Sequence, residues 1–168
     1  MKHHTAKLVS IALACLAGLA GALAVAAGPS SQVELQRLAS CQHSLDNLND
    51  AKAQMEHFVA GFNTHFSADP QAGGFAPKAR TQLLGMSVTQ LYPDSAGTAL
   101  GFSVLVAANF SQARKAFERQ LGQPMICHDS DGMHACSVEI AEHWTATLLA
   151  PVGHSTASVL GCHSFHKT

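Results

Sequence analysis

Apolar side chains recur at Leu38, Cys41, Leu45, Leu48, Met55, Val59, Phe62 and Phe66, three or four positions apart, with Lys52 the one break in the stripe. An α-helix turns once in ~3.6 residues, so this spacing collects them on one face. The pattern predicts a long amphipathic helix over 32–66, weakest at Asn47 to Asp50, where a cap could start a second half. Pro70, Gly73, Gly74 and Pro77 then break any period, and residues 67–80 read as a loop within one domain.

Beyond residue 80 the period falls to two. Leu84, Met86, Val88 and Tyr92 alternate with polar or small residues, as do Leu100, Phe102, Val104 and Val106. The run from Pro93 to Gly97 reads as the turn between two strands. Ala113, Ala116, Phe117 and Leu121 restore helical spacing over 110–121. Asn109 or Ser111 is placed to cap that helix, and Gly122 and Pro124 to end it. Four more strands follow: 125–127, 136–140, 144–150 and 156–164, the last two joined through Pro151, Val152, Gly153 and His154. Adjacent strands with short connections form antiparallel sheets. The expected fold class is therefore α+β: a long N-terminal helix and one shorter helix packed on a six-stranded, mostly antiparallel sheet.

The densest local signal is Cys127-His-Asp-Ser-Asp-Gly-Met-His-Ala-Cys136. Asp131-Gly132 suits a two-residue hairpin turn that needs φ > 0 at both positions. Counting outward pairs Ser130 with Met133, Asp129 with His134, His128 with Ala135 and Cys127 with Cys136. The cysteines then occupy a non-hydrogen-bonded pair, where side chains approach most closely and a disulfide can form.

The N-terminus bears on compartment. Lys2 and Lys7 precede an uncharged, Ala- and Leu-rich run from Leu8 to Ala27, with small residues spaced for cleavage near Ala26. This reads as a secretory signal over 1–27, followed by a single domain over 28–168. A membrane association is expected only if that signal stays uncleaved. Four cysteines follow it, an even number that favours two disulfides in an exported chain. With Cys127–Cys136 assigned, Cys41 and Cys162 remain, and Cys41 lies on the apolar helix stripe. The expected location is the periplasm or the exterior.

Charge excludes one class of partner. Ten Lys and Arg balance eleven Asp and Glu, with no basic stripe, so nucleic acid is not expected. Histidine stands out at eleven residues, all but His3 and His4 beyond the signal. Imidazole suits Cu, Zn and Ni, so His128, His134, His163 and His166 form an alternative reading as a metal-binding module. The spacing lacks a paired His or Cys-x-x-Cys motif, and Asp129-Ser-Asp131-Gly132 is only the start of a calcium loop. Gly153-His-Ser155-Thr-Ala157 misses the nucleophile-elbow pattern by its last residue and falls in a hairpin turn. No catalytic set and no cofactor motif is present, and the chain is not expected to be an enzyme.

An export signal, one α+β domain and two disulfides make the chain similar in general make-up to small periplasmic inhibitors and immunity proteins, a similarity of class without a shared motif. The leading expectation is a non-enzymatic domain that neutralises a protein partner, such as a lysozyme-like enzyme or a toxic effector. Two contact surfaces are expected for it: the hairpin tip, with His128, Asp129, Ser130, Asp131, Gly132, Met133 and His134, and the 67–80 loop.

Overall fold

A computed structural model describes residues 29–42, 64–96, 99–153 and 155–165. The expected signal segment, residues 43–63 of the expected long helix, His154 and His166 lie outside these. The described chain is a mixed helix-and-sheet fold with two disulfides.

Helix α1 spans Pro29–Ala39 and does not continue through Cys41, which corrects the expectation of one helix over 32–66. Cys41 adopts φ 55°, a left-handed conformation that reverses the chain. The Gln42 N–H donates to the Arg37 carbonyl at 2.8 Å across that reversal, closing the helix end. The stripe itself is correct up to this point, since Leu35, Leu38 and Cys41 are all buried. Cys41 is held to Cys162 by a disulfide with Cα atoms 5.4 Å apart.

Phe66, expected as the helix's last apolar position, is buried as the first residue of strand β1 (Phe66–Asp69). The expected loop 67–80 is largely an antiparallel hairpin of β1 with β2 (Gly74–Pro77). Its prolines and glycines sit where a hairpin tolerates them. Pro70 falls in the turn, Gly73 has φ 72°, and Pro77 ends β2. Asp69 Oδ1 accepts the N–H groups of Gln71 and Ala72 at 3.1 and 3.2 Å, which pins the turn.

A two-residue strand β3 (Gln82–Leu83) turns through Leu84 and Gly85 into β4 (Met86–Ala96), which pairs with β5 (Ala99–Ala107). The turn expected at 93–97 is instead mostly strand, with Pro93 opposite Phe102. Beyond Leu91, β4 pairs only with β5 among the described residues, so an absent Pro93 N–H leaves no ladder bond unmade. Helix α2 (Phe110–Leu121) matches its expected span. Asn109 and Gln112 exchange side-chain to backbone bonds as a capping box, and Gly122 ends the helix at φ 72°.

The last four strands form a meander: β6 (Ile126–Ser130), β7 (Met133–Ala141), β8 (Trp144–Pro151) and β9 (Ser158–Phe165). Strand β9 returns to pair with β5. Among the described residues the result is one nine-stranded antiparallel sheet, not six strands, ordered β1-β2-β4-β5-β9-β8-β7-β6 with β3 on β4. The strands absent from the sequence reading are β1, β2 and β3, too short or too interrupted to show a period.

The two described helices lie on one face. Leu35 and Leu38 of α1 and Ala113 and Phe117 of α2 share a core with Phe102, Val104, Leu148 and Leu160. Gln120 bridges the helices, accepting from Gln36 Nε2 at 2.8 Å and donating to Gln42 Oε1 at 2.6 Å. Side chains alternate across strands, so Ser103, Thr147 and His163 belong to the opposite face.

Candidate functional site

The hairpin of β6 and β7 has the register expected from sequence at every position, from Ser130 opposite Met133 to Cys127 opposite Cys136. Asp131 and Gly132 have φ 52° and 75°, the values a type I′ turn demands. The Cys127–Cys136 disulfide closes the base of the tip with Cα atoms 4.0 Å apart, close to the spacing of a non-hydrogen-bonded pair. Beyond the staple, His128 through Gly132 are all exposed, while Met133 and His134 are half-buried.

Asp129 and His134 face each other across the strands, with Asp129 Oδ1 2.6 Å from His134 Nδ1. The His134 ring also stacks on Phe110, the first residue of α2, with centroids 4.4 Å apart and planes inclined by 22°. The tip is therefore fixed in two directions, across its own strands and against the helix. His128 projects to the opposite face of β6 from Asp129, because neighbours in a strand alternate.

The tip does not stand alone. The Val152 N–H donates to the Gly132 carbonyl at 2.8 Å, which fastens the β8–β9 loop beside the turn. Val152 is 50% exposed there, an apolar residue fastened beside Gly132. Between that loop and the start of α2 runs an open groove of about 550 Å³, lined by Asn109, Phe110, Ser111, His134, Ser155 and Thr156 among others. Of these, sequence reasoning had placed only His134 in a site. Phe110 and the 153–156 loop are brought to it by the sheet order, which puts β8 beside β7 and crosses α2 over both β8 and β9.

Asp129, His134 and Ser155 lie at one end of the molecule, but the Ser155 hydroxyl donates to the Ala157 carbonyl at 2.9 Å and accepts the Ala157 N–H at 3.2 Å. That local turn commits its proton to the backbone and not to an imidazole. Elsewhere, the lowered acid is Glu118 on α2. The Met125 backbone N–H, at 2.9 Å, holds its carboxyl below the ordinary value of 4.5, against the opposing effect of burial and with help from Arg114. It ties α2 to the start of β6 and so positions the hairpin.

Of the histidines of the metal reading, the described His128, His134 and His163 are not gathered, and His166 lies outside the described residues. His128 and His134 point to opposite faces. His163 pairs with Thr145, and Thr145 with Glu139, which lies five residues along β7 from His134, roughly 17 Å at ~3.4 Å per residue. Among the described residues, no group of three His, Cys, Asp or Glu is placed to hold a metal ion. His163 lies over two glycines of its own and the neighbouring strand, Gly161 and Gly101, with Nε2 3.4 Å from Ser103 Oγ.

Two intramolecular disulfides are compatible with an exported protein. No protein-family model, curated protein or solved structure matches the chain.

Proposed function

We propose that the chain is an exported, non-enzymatic binding domain of the inhibitor or immunity type, which neutralises a protein partner through the β6–β7 tip. The partner class is an enzyme or toxic effector acting in the cell envelope, a lysozyme-like enzyme among them. One observation carries this reading. The exposed tip is locked by the Cys127–Cys136 staple, the Asp129–His134 pair and the Phe110 stack, with exposed Val152 beside it. A surface already ordered before docking loses little entropy on binding, and interfaces concentrate their energy in a small apolar centre within a polar rim. Val152 and the half-buried Met133 would form that centre, and Asp129, Ser130, Asp131 and His128 the rim.

The test is capture from envelope extract and culture medium by the oxidised, immobilised protein, run beside Val152→Asp and Asp131→Lys. A partner retained by the unaltered chain and lost by both variants, with circular dichroism unchanged, supports the reading. Equal capture by all three proteins, or no specific partner, sinks it. Inhibition of lysozyme turnover on cell walls is the direct assay for that partner class.

A further inference from the structure

A second groove, of about 490 Å³, opens between α2 and the β3–β4 hairpin and shares no lining residue with the first. Three cations line it: Arg80 from the β2–β3 connection, and Lys115 and Arg119 from α2. No acidic residue is among its lining. The chain as a whole carries a net charge of −1, so this cluster does not reflect a general excess of base. None of the three forms an ion pair among the described residues. Arg114 shows the contrast on the same helix. It is turned to Glu118 at 2.9 Å and to the Met125 carbonyl at 3.3 Å, a structural clasp.

Lys115 and Arg119 stand four residues apart, a spacing at which like charges destabilise a helix. The repulsion is retained, and an anion in the groove would relieve it. The Arg119 Nε–H donates to the Lys115 carbonyl at 3.3 Å, which anchors the side chain and leaves its terminal nitrogens without a protein partner among the described residues. Gln82, Ser87 and Gln112 add polar groups to the walls, and Ala107 and Ala108 keep the floor free of bulk.

We propose that this groove binds a phosphate-bearing ligand carrying two or more negative charges. Guanidinium groups match phosphate oxygens in bidentate pairs, and lysine adds a point charge. Grooves of roughly 300–1,000 Å³ hold small molecules, so the space suits a diphosphate or a phosphorylated compound better than one phosphate ion. The ligand is either soluble or the headgroup of an anionic lipid, since both present the same oxyanion. The inference does not depend on the reading of the tip.

The experiment titrates the oxidised protein with inorganic tripolyphosphate by calorimetry at low salt, and with phosphatidic acid vesicles against phosphatidylcholine vesicles by flotation. Saturable binding is expected below about 1 mM, weakened about tenfold or more by Arg80→Gln with Arg119→Gln and little changed by Arg37→Gln on α1. Binding of tripolyphosphate assigns a soluble ligand, and flotation confined to phosphatidic acid assigns a lipid headgroup. Either result supports the proposal if the paired variant loses it while unfolding at the unaltered temperature. Affinity that is unchanged in that variant, no saturation with either probe, or tighter binding of hexaglutamate than of tripolyphosphate overturns it.

Discussion

The imidazole of His134 stacks on the ring of Phe110, joining the tip of the β6–β7 hairpin to the first residue of α2. Aromatic contacts of this kind contribute roughly 0.5–1.5 kcal/mol beyond the area they bury. Phe110→Ala and His134→Ala should therefore be less than additive, with a coupling of about 0.5–1.5 kcal/mol in a double-mutant cycle by urea unfolding. Additive losses would mean that the stack contributes nothing to holding the tip.

The two disulfides should differ in weight. Cys41–Cys162 spans 121 residues and Cys127–Cys136 spans nine. Loop-closure entropy gives about 5 kcal/mol for the first and about 3 kcal/mol for the second. Denaturant unfolding of Cys41→Ser/Cys162→Ser and of Cys127→Ser/Cys136→Ser should show the larger loss for the long bridge. The short bridge should matter more for the tip, and its removal should raise hydrogen exchange at Ser130 to Met133. Equal stability losses would contradict the entropic account.

His163 occupies a seat that only glycine leaves open. A Cβ on Gly161 would stand 2.6 Å from His163 Nε2, and one on Gly101 would overlap the same ring. Gly101→Ala and Gly161→Ala should each destabilise by about 1–3 kcal/mol, the range for overpacking. Adding His163→Ala should restore part of the Gly101→Ala loss. Thermal unfolding of the single and double variants checks this, and no restoration would place the cost in the backbone.

Glu118 gives the fold a defined pH dependence. Its carboxyl titrates below the ordinary value of 4.5 because the Met125 N–H and Arg114 favour the charged form. A depressed carboxylate contributes stability that is present above its unfolded pKa and is lost as pH falls through its folded pKa. Glu118→Gln should therefore be less stable than the unaltered chain at pH 7. That gap should narrow as pH falls below the ordinary value of 4.5 and through the lower folded value, where the unaltered carboxylate takes up its proton as well. Melting curves from pH 3 to 7 provide the measurement, and a gap constant across the range would contradict the assignment.

The reading of the β6–β7 hairpin from sequence was right at the level of register, because everything that sets it is local. Asp131-Gly132 dictates the turn, and alternation does the rest. The ends of α2 were legible for the same reason, with Asn109 and Gly122 acting on neighbouring backbone groups. Cys41–Cys162 was legible by elimination and by the position of Cys41 on an apolar stripe.

Other features depend on groups far apart in the chain. The stripe from Leu38 onward looks helical through Cys41, yet the helix stops at Ala39, where the chain reverses at the residue bonded to Cys162 of β9. Pro93 reads as a turn, but a strand edge with no partner beyond Leu91 accepts it. Phe66 reads as the end of a helix and Pro70 to Gly73 as loop, but pairing with β2 makes the first a strand and the second its turn.

Local chemistry in the sequence determined the export-type staple pattern, the hairpin, the capped helix and the α+β class, since turns, caps and side-chain period act within a few residues. Tertiary structure alone decided the nine-strand order of the described residues, the meeting of His134 with Phe110 and of Gly132 with Val152, and the convergence of Arg80 with Lys115 and Arg119. Each of those depends on which strand returns to which edge. That choice is made by burial of the shared core, a sum over distant residues that no short window of sequence contains.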